Sequence, residues 1–181
     1  MIDMHIHAVH SRLPGLKPMP AEILALMDGP PDAMARRLLE EMRQSGCTHA
    51  FGMGTPGAPD GDALGINGTL RLMTLVPGLR VIGIIDPRRN DAEHLAAVER
   101  QIERETRKIV ALKAYLGYLH YGPEHPGYAP YYRIAAKYRL PVVFHTGDTW
   151  STAAKVKYAH PLRVDEVAVD HPDVKCVMAH F

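Results

Sequence analysis

Residues 2–7 alternate, with Ile2, Met4 and Ile6 on one side of an extended chain and Asp3, His5 and His7 on the other. A period of two predicts a short strand there. A Pro- and Gly-containing stretch, about 8–31, follows. It is too long for a plain connection and reads as a functional flap or as a loop with a small helix of its own. The spacing of Ala35, Leu38, Leu39 and Met42 predicts a helix over 32–45, capped by Asp32 and stopped by Gly46. A second strand reads over 47–53, a Gly/Pro-rich loop over 54–65 and a short helix over 67–75. Residues 80–86 are continuously apolar from Val81 to Ile85, which suits a parallel strand covered on both faces. Beyond them come a helix over 91–108, with Leu95, Val98 and Ile102 on one side, and a strand over 109–114. A loop rich in aromatics and His spans 115–127, then a helix 129–138 and a strand 140–145. A last loop leads to Pro161, a good first-turn residue, then a helix 162–169 and a strand 174–180.

Six strands alternating with helices, one unit per about 30 residues, imply parallel βα units and an α/β fold. The candidates are an open doubly wound sheet and a (β/α)8 TIM barrel. An open nucleotide-binding sheet wants a Gly-rich phosphate loop after its first strand. Here that strand ends in His-Ile-His, which weakens the nucleotide reading.

Composition narrows the partners. A formal net charge of +1 gives no electrostatic case for nucleic acid or an acidic membrane surface. No apolar run approaches the ~20 residues that cross a bilayer. The first residues lack a basic segment followed by an apolar one, so no signal peptide is expected. Two cysteines, Cys47 and Cys176, make no disulfide framework and favour a reducing cytoplasm. The outlying number is 11 histidines, where roughly four would be average for this length, so the search for chemistry starts with His.

Residues two apart on a strand point the same way, so His5 and His7 can offer two imidazoles to one metal ion; the bland alternative is two exposed polar residues on an edge strand. His145 and His180 fall at the ends of the fifth and sixth strands. In a parallel barrel all such ends meet at one mouth. Lys113 ends the fourth strand. It reads equally as a contact for a substrate anion, as a carbamate bridging two metals, or as a lysine reaching solvent. Around the same mouth, Arg88 offers a guanidinium for a carboxylate, Tyr115 and Tyr118 a pocket wall, and Asp148 either an acceptor orienting His145 or a turn cap. Asp86, Arg89, His120 and Thr146 are weaker candidates nearby, and His49, His94 and His171 read as structural or solvent-facing.

Four passages carry a resemblance to a known family: Ile2-Asp3-Met4-His5-Ile6-His7; Ala111 to Tyr115 with Gly117-Tyr118; Leu140 to Asp148; and Pro172 to His180. The chain resembles the metal-dependent amidohydrolase superfamily, in its second group of TIM-barrel hydrolases and decarboxylases. That resemblance implies His5, His7 and His145 as metal ligands. It implies His180 as a ligand or as the group acting on the activated water, and Lys113 as a second catalytic residue. Arg88, Tyr115 and Asp148 become substrate-binding residues. It implies one divalent ion, with zinc first and Mn, Fe, Co or Ni as alternatives. The expected activity is hydrolysis of a small carboxylated ring compound, lactone or amide through a metal-activated water. The alternatives are non-oxidative decarboxylation and a catalytically silent truncated barrel.

The family also uses an Asp at the end of an eighth strand, for which these 181 residues offer no candidate. A barrel typically takes ~250 residues. The expectation is therefore a single partial barrel, lacking strands seven and eight. Its unpaired edges would favour a homo-oligomer.

Overall fold

Among the described residues of the computed structural model, 1–11 and 13–180, six strands form one all-parallel sheet. They are β1 (Ile2–Ile6), β2 (His49–Met53), β3 (Leu79–Ile85), β4 (Ile109–Ala114), β5 (Val142–Phe144) and β6 (Cys176–Met178), and their order in the sheet is their order in the chain. The helices between them are α1 (Ala21–Met27), α2 (Pro31–Ser45), α3 (Asn67–Met73), α4 (Ala92–Arg104), α5 (Ala129–Tyr138) and α6 (Arg163–Asp170).

A flat sheet would hold β1 and β6 roughly 24 Å apart, five spacings of about 4.8 Å. Instead the rings of His5, on β1, and His180, just past β6, have centroids 4.9 Å apart. The sheet is therefore curled, and the C-terminal ends of its first and last strands converge. Sequential parallel order plus curling is the arrangement of an incomplete (β/α)8 barrel.

Strand alternation sorts side chains into two layers. On the outer, helix-facing side, Val81, Ile85, Leu112, Ala114, Val142 and Phe144 share a core with Val98, Tyr128, Tyr131, Tyr132 and Val164. On the inner side Met53, Ile82, Ala111 and Val143 pack together, with Phe51 and Ala179 against them. Each strand then advances two residues toward the mouth, from Ala111 to Lys113 and from Val143 to His145. The inner layer turns from apolar floor to polar site along the same faces.

Several boundaries differ from the expectation. The long first loop does carry a helix, α1. Helix α2 starts at Pro31 with Pro30 at the cap position and no side-chain cap, so Asp32 lies inside the first turn. There it still complements the positive helix end. Helix α4 stops at Arg104, because the chain turns over 105–108 with Arg107 in the left-handed region at φ 69°. Strands β5 and β6 are only three residues each, so His145 and His180 lie one and two residues beyond them. Backbone pairing continues past the formal ends, with His145 N–H donating to the Ala114 carbonyl and Ala179 N–H to that of Phe144.

Candidate metal centre

The curl assembles four imidazoles. His5 and His7 project inward from β1, with their Nε2 atoms 3.2 Å apart. His180 sits between His5 and His145, at centroid distances of 4.9 and 5.0 Å. Thr146, fully buried, holds the end of β6 there, because its hydroxyl donates to the His180 carbonyl and accepts from the His180 N–H.

Hydrogen bonds decide which ring nitrogen is free. His145 Nε2 lies 2.9 Å from the backbone carbonyl of Asp148. A carbonyl only accepts, so Nε2 carries the proton and Nδ1 keeps its lone pair. His7 Nδ1 lies 2.8 Å from the Ser11 hydroxyl, leaving Nε2 toward His5. Nδ1 of His5 is buried without a partner among the described residues.

Lys113 lies in the same neighbourhood. It is 0 % exposed, and its Nζ meets no hydrogen-bond partner among the described residues. Burial pushes its pKa down to about 7. The histidines are depressed too, foremost by burial and next by Lys113: His5 to about 3, His7 to about 4, His145 to about 3, with His180 also lowered. His7 is exposed as a residue on the open side of the sheet, but its ring is crowded by protein atoms and desolvated accordingly. At neutral pH all four imidazoles are uncharged and carry lone pairs, the form in which His binds a metal.

Among the described residues no three His, Cys, Asp or Glu side chains already encircle one point at ligand distance. The four rings pack on one another instead. The fit to a divalent ion rests on donor chemistry: a cluster of neutral imidazole nitrogens, with His5 Nδ1 and Lys113 Nζ buried beside it and, among the described residues, without partners. Buried polar atoms left open in one place mark a site that a ligand completes.

The remaining predicted residues take varied positions. Tyr115 is buried, its ring 6.4 Å from His7 and near Lys113 Nζ. Tyr118 packs edge-on to His145 at 4.9 Å. Arg88 grips the Asp86 carboxylate with Nε and Nη2, at 2.9 and 2.6 Å, so its guanidinium is already engaged. Asp148 is exposed, and its carboxylate accepts from the Thr149 N–H at 2.8 Å. Its backbone, not its side chain, orients His145. Sequence reasoning missed Ser11, which lies in an irregular loop with no periodicity to mark it.

Comparison with known proteins agrees with this fold. The chain shares it with an uncharacterised TIM-barrel protein from Bordetella bronchiseptica: TM-score 0.66, 17% identity, covering 98% of this chain and 65% of that one. A probable 2-pyrone-4,6-dicarboxylic acid hydrolase from Acinetobacter baumannii, with citric acid bound, gives TM-score 0.57 and 14% identity over 98% of this chain and 57% of its own. An amidohydrolase from Burkholderia ambifaria with bound Zn gives TM-score 0.51 and 20% identity over 87% of this chain and 45% of its own. The chain thus spans less than two thirds of these structures. No curated protein sequence matches it. Among the described residues no helix is long and apolar enough to cross a membrane. The family model for amidohydrolases matches residues 2–181, and the chain belongs to that family.

Proposed function

We propose that this chain carries the metal centre of a hydrolase that acts on a small carboxylated ring compound, a lactone or an amide. The observation that carries the reading is the convergence of four neutral imidazoles from three strand ends above one buried, unpartnered lysine. His5, His7 and His145 would hold one divalent ion. Zinc is the first choice on imidazole chemistry, and the Zn-bound amidohydrolase of the same fold supports it. When bound, the ion supplies Lewis acidity, polarising a carbonyl and lowering the pKa of water.

The protein's own groups do the rest. His180, uncharged and next to two of the ligands, accepts a proton from the attacking water and returns it to the leaving group. In its protonated form Lys113, whose pKa burial brings to about 7, sets a positive charge beneath the histidines that draws an anionic substrate group toward them. Tyr115 and Tyr118 wall the site, and Asp148 and Arg88, on the loops after β5 and β3, would contact the substrate. Arg88 would meet a carboxylate with Nη1, since Asp86 engages its Nε and Nη2. The enzyme works in the cytoplasm in this reading, consistent with both cysteines being free.

The test is one purified sample loaded with Zn²⁺ and assayed for lactone or amide cleavage and for CO₂ release. The expected result is hydrolysis, reduced about 10²–10⁴-fold in His180→Asn. CO₂ without hydrolysis would replace the proposal by decarboxylation, and neither product would make the chain a silent barrel.

A further inference from the structure

We propose that Ser11 is the positioning residue of the metal centre, fixing the ring of His7 so that Nε2 faces the ion. The inference rests on the metal-centre reading above and assigns a role to a loop residue that carries no sequence signature.

Ser11 is 5 % exposed, and its hydroxyl lies 2.8 Å from His7 Nδ1. Two proton arrangements satisfy this contact. In one, Ser11 donates to Nδ1; His7 then carries its proton on Nε2 and donates it to His5 Nε2, 3.2 Å away. His5 would then hold its own proton on Nδ1, a buried N–H with no acceptor. In the other, His7 carries Nδ1–H and donates it to Ser11, Ser11 turns its own hydroxyl proton toward the Tyr115 oxygen, and His5 carries its proton on Nε2, facing His7 Nε2, with a bare Nδ1. Buried donors without acceptors are the rarer defect in native proteins, so the second arrangement is favoured. It is also the one that turns the His7 Nε2 lone pair into the cluster, where in the metal-free chain it accepts from the His5 Nε2–H 3.2 Å away. Metal-binding histidines generally need such an outer partner to fix tautomer and ring angle.

The loop that carries Ser11 is anchored independently of His7. The Leu16 backbone pairs antiparallel with Ser151, the Lys17 N–H donates to the Trp150 carbonyl, and the Ser151 hydroxyl donates to the Pro14 carbonyl. Gly15 permits the close approach, with φ 65° and a position where a Cβ would stand 2.5 Å from Ala153 Cβ. The loop it meets is the one whose Asp148 carbonyl orients His145. One clasp therefore sets both Ser11 on His7 and Asp148 on His145.

Three measurements on the full chain test this. Long-range ¹⁵N–¹H correlation of the metal-free protein reads the His7 tautomer. Competition with a chelating dye reads Zn²⁺ affinity. Thermal melting reports whether variants fold. The expected result is Nδ1–H on His7 in the wild type and a tautomer mixture in Ser11→Ala. Zn²⁺ affinity should fall about 10–100-fold in Ser11→Ala at an unchanged melting temperature and recover in Ser11→Thr. Nε2–H on His7 in the wild type, or unaltered Zn²⁺ affinity in a folded Ser11→Ala, overturns the role. Should the wild type take up no Zn²⁺, the metal-centre reading fails, and the tautomer alone then decides whether Ser11 fixes His7.

Discussion

Lys113 and the histidines around it refuse protons that the unfolded chain accepts. His145 is the clearest case, 5 % exposed and held to about 3 against an ordinary 6.5. The folded state binds fewer protons than the unfolded one between those values, so stability is full above pH 6.5 and falls as pH drops toward 3. His5 and His7 act with the same sign. Lys113, lowered from 10.5 to about 7, adds a separate loss as pH falls through that higher window. Urea midpoints of the metal-free chain should therefore decline from pH 6.5 to 4.5, before most carboxylates protonate. His145 alone contributes a slope approaching about 1.4 kcal/mol per pH unit. A flat profile that is the same in His145→Asn would contradict the neutral, buried cluster. At this scale the sequence exposes side-chain donors but not what fixes them. Alternation reveals His5 and His7, and strand ends reveal His145 and His180. The Asp148 carbonyl is a backbone group common to every residue type, and Ser11 reaches His7 through an irregular turn, so neither leaves a pattern to read.

Between β2 and α3 the chain is held by one buried carboxylate. Asp62 accepts from the Ile66 N–H and Gln101 Nε2, both at 2.8 Å, and from the Asn67 N–H at 2.9 Å. Gln101, on α4, in turn accepts from the Leu64 N–H at 2.9 Å. The network caps the start of α3 and ties this loop to the neighbouring helix. Asp62→Ala strands three donors out of water and should lower stability by about 2–3 kcal/mol in denaturant titration, with Asp62→Asn milder. A change below about 0.5 kcal/mol would show the loop to be held by its apolar contacts alone. Asp62 gives no periodic signal, being one acidic residue in a Gly/Pro-rich loop. The long apolar strand β3 was legible because both its faces are covered. The ends of β5 and β6 were not, since the same apolar letters continue beyond the last paired residues.

For the whole molecule, curling turns six strand ends into one mouth, and the even spacing of βα units made that fold readable. The curled sheet has two free edges. On β1, Ile2 and Met4 are 53 % and 55 % exposed, and on β6 Val177 and Met178 are 37 % and 39 % exposed. Open parallel edges with apolar faces recruit further strands. Sedimentation velocity should show this 181-residue chain associating as concentration rises, and less so in Met4→Lys; a monomer at every concentration would contradict that. The converging histidines should bind one metal ion. Calorimetric Zn²⁺ titration of the wild type and of the His5→Ala/His7→Ala double variant tests it most directly. One tight Zn²⁺ per wild-type chain is expected and none in the double variant, with both folded by circular dichroism. Equal Zn²⁺ uptake by the two proteins would contradict it.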